Sequence, residues 1–529
     1  MLNKHMIAET IADILRAQAD ARPDAGFLHF HDGSGQVLSF AGTWQLASRW
    51  ADLFAISVPR GRTVLLALPN SSDFAGAFFG SLIAGLVPAP CVPPNGRDPA
   101  RFAEDIAARA RLTDAAALVV PDRTAGAGDL IVLSARDLPA SAPDRSPLVS
   151  DAPALRQFSS GTSTSLKAIE LSHAALTYQA RSLCHGLRAD PARDVALSWL
   201  PWFHDMGLFG FLLAPTCAGV PAHILPTESF ARRPGLWLEA VTRERATITA
   251  GPPSAFLMAG RIAERRNCAG LDLSGLRVAL VGAERVMPSA CARIVESLTP
   301  ARLSPHALLC AYGLAEVGVT VTLSDPGSPV RESIALDQAH TSLGCGTALP
   351  GTEIKIAGPA GTELEDGRTG QILIRSPSLL TRYLTADGPV DPRGPDGWFP
   401  TRDVGHIEAG TLFVQGRSDD MIVIGGTKYA PEEFEEAARA CGIALGEVAA
   451  ISFPDERLGT DRAMVIVEVI SAAHSGELAI KAVRQSLAAR QLPLAEILVV
   501  DPRTIERTAN GKLRRSQCRQ MVQERYVDA

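Results

Sequence analysis

The side chains able to do chemistry fall in a few short stretches of the 529-residue sequence. The densest is Gln157-Phe-Ser-Ser-Gly-Thr-Ser-Thr-Ser-Leu-Lys-Ala-Ile169. Ser159, Ser160, Thr162 and Ser163, with Gly161 among them, offer hydroxyls and backbone amides that can cradle phosphate oxygens. Lys167 adds a mobile cation. Only six of the 51 basic residues are Lys, so a Lys in such a loop reads as one that Arg would not replace. The pattern G-x-x-x-x-G-K-[ST] is absent, which speaks against a Walker-type kinase or ATPase. A Ser-rich surface turn is the plain alternative.

Ser198-Trp-Leu-Pro-Trp-Phe-His-Asp-Met-Gly-Leu208 sets a His-Asp pair in an aromatic and apolar run. Trp202, Phe203, Met206 and Gly207 read as a pocket wall, with His204 at its polar end. A hydrogen-bonded core histidine at a strand end competes with that reading. In Ala311-Tyr-Gly-Leu-Ala-Glu316, Tyr312 could stack on a base and Glu316 could hold Mg²⁺ through oxygen, with Gly313 between them. Asp403 could accept two ribose hydroxyl hydrogens, and Arg417 and Asp419 follow in Gly416-Arg-Ser-Asp-Asp420. In Glu506-Arg-Thr-Ala-Asn-Gly-Lys-Leu-Arg-Arg515, the Gly before Lys512 permits a tight turn that presents the amine. Gly344-Cys-Gly346 resembles the start of a dinucleotide fingerprint but lacks its completion, so a Rossmann site is rejected.

These stretches need elements to hold them. Residues 8–21 read as a helix, and Asp24–Ser39 as a pair of short strands. Val64–Leu68, Ala117–Val120, Ala196–Trp199, Ala222–Leu225, Ala246–Ala250 and Val278–Val281 read as buried parallel strands between helices, such as 73–86. From about Ile354 the pattern turns to short strands (353–356, 370–374, 411–415) with Gly/Asp turns, a smaller β-rich subdomain. Pro431-Glu-Glu433 looks like the first turn of a helix. The expected fold class is α/β: a large N-terminal domain of layered α/β subdomains with a β-rich subdomain, then a small mobile α+β C-terminal domain. The boundary is placed between residues 417 and 418.

Composition narrows the classes. Hydrophobic residues are 46%, charged residues 20% and net charge −6, a globular chain long enough for two to four units. The negative balance argues against general nucleic-acid binding. Nine scattered Cys without a C-x-x-C pair indicate neither a zinc site nor a disulfide framework. The acidic N-terminus does not read as a signal peptide, and the most membrane-like stretch, 74–87, is too short to span a bilayer. A cytoplasmic protein without a membrane span is expected.

In this order the motifs resemble the adenylate-forming superfamily of acyl-CoA synthetases, adenylation domains and luciferases, over nearly the whole chain. Leu200-Pro-Trp-Phe-His-Asp-Met-Gly-Leu208, Arg233-Pro-Gly-Leu-Trp-Leu-Glu-Ala240, Gly282-Ala-Glu284 and Tyr312-Gly-Leu-Ala-Glu316 look most like fatty acyl-AMP ligases. The resemblance implies that a carboxylic acid and ATP give acyl-AMP and pyrophosphate. The acyl group then passes to the phosphopantetheine thiol of an acyl carrier protein. CoA as acceptor, an amino or hydroxy acid as substrate, and a non-catalytic nucleotide-binding relative are the alternatives. It further implies that the 159–167 loop holds the β- and γ-phosphates and Glu316 holds Mg²⁺. Tyr312 with Gly313 and Gly282-Ala283-Glu284 would form the adenine pocket, while Asp403 and Arg417 would bind ribose or phosphate. Asp419 would be the hinge, and Lys512 and His204 the candidate catalytic residues. Leu166 and Ala168 stand where the family's loop usually carries a Pro and a second Gly. The stretch from Glu316 to Gly344 is shorter than expected for this group. Two further expectations are that Trp202 narrows the acyl tunnel, and that the +3 charge excess of residues 501–529 docks an acidic carrier protein.

Overall fold

The computed structural model describes residues 9–94, 98–122, 128–140, 152–158, 166–336, 341–359, 361–424, 427–455, 460–470, 476–507 and 513–526. Its largest element is a nine-stranded sheet. From Leu308–Tyr312 through Val278–Val281, Ile248–Gly251, Ala196–Ser198 and Ala222–Ile224 to Gly26–Phe30, its strands run parallel. Val37–Ser39 and Thr322–Leu323 pair antiparallel toward the two sides. The short apolar runs become strands because both faces of a parallel sheet are covered. Helices Ile11–Ala21, Gly235–Arg243 and Pro253–Arg265 supply apolar faces to the same core.

A second parallel sheet has Thr63–Leu66 between Val87–Pro90 and Ala115–Val119, with Ile131–Leu133 outside. Helix Ser72–Ala84 has buried residues on every side, as expected of an apolar helix inside a core. Two of its glycines let it approach helix Phe40–Ser57 closely. A Cβ on Gly80 would lie 2.8 Å from Ala47 O and 2.5 Å from Trp50 Cβ. The helix stops at Gly85, which adopts the left-handed conformation at φ 73°.

Strands Pro153–Phe158 and Ala168–Ser172 form a hairpin, and Arg382–Thr385 pairs with its second strand. Fully buried Glu170 clamps the three strands. It accepts from Arg156 Nη2 at 2.7 Å and from Arg382 Nε at 2.7 Å. The antiparallel set Glu353–Ala357, Gly370–Arg375, Phe399–Glu408 and Thr411–Arg417 is the expected β-rich part.

From Ile422 onward the apolar residues pack among themselves, apart from the core built by residues 11–412. Leu445–Asp455, Thr460–Val469 and Ala495–Val500 form a mixed sheet with helices Pro431–Arg439, Gly476–Ala489 and Arg515–Tyr526. Among the described residues no helix is long and apolar enough to cross a membrane.

Candidate active site

The site is built where the parallel strands end and the β-rich strands meet them. Ser159, Ser160, Gly161, Thr162 and Ser163 lie outside the described residues. Their flanks are ordered by register: Phe158 faces Ala168, and Ala168 faces Leu384. Ala168 is thus a fully buried strand residue with ordinary cross-strand neighbours, so no glycine is needed there. Just before it, the Lys167 Nζ sits 4.6 Å from the centre of the Tyr383 ring, a cation–π contact. Partial burial holds the Lys167 ammonium below the usual lysine range. Glu316 opposes the drop, and Arg402 and Arg417 add to it.

Glu316 is reached from the other side. Tyr383 donates its hydroxyl to Glu316 Oε1 at 2.6 Å. Burial and the neighbouring carboxylate push that phenol up, so it stays protonated and donates. The structure therefore gathers Lys167, Glu316, Arg402 and Arg417, and adds Tyr383, which no sequence motif announced. Its signal was indirect: a strand within the β-rich stretch of sequence, Arg382–Thr385, that pairs instead with Ala168–Ser172 at Tyr383↔Ile169.

A second pair sits nearby. Tyr312, 9% exposed, donates its hydroxyl to Asp403 Oδ2 at 2.5 Å. Burial and the Asp403 carboxylate push the Tyr312 hydroxyl up as well. Asp403 stands directly across from Arg417 in the antiparallel ladder, so the two share one face. Arg402 beside it takes φ 64°, an uncommon conformation for a bulky residue. Gly313 cannot carry a side chain, because a Cβ there would fall 1.7 Å from Val319 O. Gly282 follows strand Val278–Val281, and a Cβ on it would lie 3.2 Å from Ala311 O. Ala283 turns the chain at φ 66°, and Glu284 accepts from Ser254 Oγ at 3.0 Å.

The Trp202–Gly207 segment packs as one turn. Trp202 is 0% exposed, edged by Phe74 and Phe30, and its amide donates to Asn70 Oδ1 at 2.8 Å. Trp202 is therefore a core side chain. Phe203 and His204 are half-buried, and Met206 is buried. His204 Nδ1 lies 2.5 Å from Asp205 Oδ1, which also accepts from the Met206 amide at 2.7 Å. His204 Nδ1 itself accepts from the Met206 amide at 3.3 Å, capping the short helix Asp205–Leu208. Gly207 is required, since a Cβ would meet Pro201 O at 2.2 Å.

Asp419 lies 3.5 Å from Arg402 Nη1, and its carbonyl accepts from Arg519 at 3.1 Å. Lys512 lies outside the described residues. Arg507 and Leu513 on either side of that stretch form an antiparallel bridge. The basic residues of 501–529 expected to dock a carrier protein are described only in part. Arg515 is largely buried and pairs with Glu432 at 2.7 Å and Glu435 at 2.9 Å. Arg507 pairs with Glu447, and Arg519 with Asp420. Arg507, Arg515 and Arg519 are thus engaged within the fold.

The arrangement is that of the adenylate-forming enzymes. A solved structure from a study of fatty acyl-adenylate ligases of E. coli and L. pneumophila superposes with TM-score 0.86. It is 26% identical and covers 98% of this chain and 99% of that one. Residues 15–384 match the family described as AMP-binding enzyme, and the chain belongs to that family. A Mycobacterium marinum long-chain-fatty-acid–AMP ligase is 28% identical over 578 aligned positions, covering 96% of each chain. A Caulobacter vibrioides protein carrying an acyl-CoA synthetase name is 29% identical over 500 positions, 88% of this chain and 87% of that one. The 578 aligned positions exceed the 529 residues available, so the mycobacterial ligase holds segments that this chain lacks.

Proposed function

We propose that this chain uses ATP to activate a carboxylic acid of the fatty acid class and passes the acyl group to the phosphopantetheine thiol of an acyl carrier protein. The observation that carries this reading is the convergence of Lys167, Glu316, Arg402 and Arg417 around Tyr383, next to the Tyr312–Asp403 pair. One end suits phosphate and the other suits a nucleoside.

In the first step a carboxylate oxygen attacks the α-phosphorus of ATP, and the bond to pyrophosphate breaks. Two anions must meet, so preorganised cations carry much of the barrier reduction. Lys167 and the 159–163 loop take the β- and γ-phosphates, and Arg417 the ribose–phosphate side. Glu316 would hold Mg²⁺ through its carboxylate oxygens, and the ion would neutralise phosphate charge. Asp403 takes the ribose hydroxyls while its bond from Tyr312 fixes its orientation, and the Tyr312 ring and the 282–284 turn border adenine. Lys512 bridges the carboxylate and the α-phosphate. The acid lies against Phe203, His204 and Gly207. In the second step the thiol sulfur attacks the acyl carbon, AMP leaves and the thiol proton passes to solvent. Residues 418–529 turn about Asp419 between the steps, withdrawing Lys512.

The test is ATP–pyrophosphate exchange over carboxylic acids of increasing chain length, with amino and hydroxy acids alongside. Exchange should depend on one class of acid and fall about 10²–10³-fold in Lys512→Ala. Absence of exchange with every acid overturns the reading. Product assays with holo-carrier protein and with CoA then identify the acceptor.

A further inference from the structure

Away from all of these motifs, three imidazoles and a carboxylate meet on one face of the large sheet. His29 and His31 are two apart, so they share a face opposite Leu28 and Phe30. His223 stands beside His29 in the parallel register, and their rings stack at 4.4 Å. The pairing continues to His31, whose amide donates to Ile224 O at 2.9 Å. Glu244, at the end of helix Gly235–Arg243, reaches the same point.

We propose that His31, His223 and Glu244 bind a divalent transition-metal ion of the zinc type in tetrahedral geometry, with water completing the set. His31 Nε2 lies 3.0 Å from His223 Nδ1, which lies 3.5 Å from Glu244 Oε2, and all three ligand atoms fall within 4.8 Å of one another. Zinc bonds of 2.0–2.1 Å place tetrahedral ligands about 3.4 Å apart, so small side-chain adjustments close the site. Two imidazoles and one carboxylate are a donor set suited to Zn²⁺ rather than Mg²⁺.

The ionisation states match. Burial, with His29 next, pushes His223 down to about 4, and burial also lowers His29 and His31. All three are neutral at pH 7, as ligation requires. Burial works to raise the Glu244 carboxyl, but the Arg243 hydrogen bond and the imidazoles outweigh it and leave it lowered. Asp32 adds negative charge near His31. Arg243 is the opposing group: its Nη2 is 3.2 Å from His31 Nδ1. Ligation through Nε2 places a proton on Nδ1, so Arg243 must turn away. At 57% side-chain exposure it has room to do so.

The experiment uses the full chain without a polyhistidine tag, stripped with a chelator and free of nucleotide. Co²⁺ is the optical probe and Zn²⁺ the competitor. One equivalent of Co²⁺ should bind with the strong visible absorption of a tetrahedral site, and Zn²⁺ should displace it and raise the Tm. His31→Ala and Glu244→Gln should each weaken binding by more than about tenfold, since losing a ligand costs at least as much as losing its supporting partner. Both should keep the metal-free Tm close to wild type and leave pyrophosphate exchange unchanged. No tetrahedral spectrum, or binding equal to wild type in both variants, overturns the proposal. If His31→Ala fails to fold, Glu244→Gln alone decides it.

Discussion

Gly207 and Gly313 show how a single atom limits the site. In each, the missing Cβ is the space occupied by a carbonyl oxygen, that of Pro201 or Val319. Gly313→Ala should therefore abolish pyrophosphate exchange and lower the Tm, while Ala283→Gly, at a positive φ, should be tolerated. Tyr312→Phe removes the hydroxyl that orients Asp403. A hydrogen bond to a charged group contributes about 1.5–3 kcal/mol, so kcat/KM for ATP should drop about tenfold or more with the fold intact. Steady-state kinetics and a melting curve together check this. The sequence showed Tyr312, Gly313 and Glu316 as a group because they sit in one turn. Tyr383 stayed hidden because its neighbour Glu316 is distant in sequence, and only tertiary packing brings them together. The same applies to Asn70, which holds the backbone of Trp202.

At the scale of elements, the parallel strands were the most legible, since a strand buried on both faces is a continuous apolar run. Ends were less so. The first helix starts at Ile11 because Thr10 and Asp13 form a capping box there. Helix Ser72–Ala84 ends before Leu86 because Gly85 turns left-handed. The clamp of Glu170 between Arg156 and Arg382 was not legible at all, because its three members come from three separate strands. Glu170→Ala leaves Arg156 buried without its carboxylate and should cost about 3–5 kcal/mol in urea unfolding. It should also weaken ATP binding, because the clamp ties the hairpin flanking the 159–163 loop to the strand bearing Tyr383. Gly80→Leu should fail more completely, through the close approach of two helices.

Across the whole molecule, residues beyond Ile422 meet the rest through charges. Arg285, only 8% exposed on its side chain, lies 3.5 Å from Glu433 and 3.8 Å from Glu432. Arg285→Ala should alter the two half-reactions unequally, and single-turnover measurements of adenylation and thiol transfer would read this. Stability should also follow pH. Burial holds His173 down at about 4, below its unfolded value near 6.5. A lowered folded value means stability is fully present above pH 6.5 and declines as pH falls toward 4, after which it levels. The loss is roughly 3–4 kcal/mol from this group, and His173→Gln should flatten the pH dependence of the Tm in that window. Finally, the scarcity of Lys makes the chain nearly silent to amine-reactive labels. With six lysines in all and the Lys167 amine held low beside Tyr383, acylating reagents at mildly alkaline pH should modify Lys167 ahead of an ordinary lysine of equal access. Mass-spectrometric footprinting with and without nucleotide would then read occupancy of the phosphate loop from one peptide.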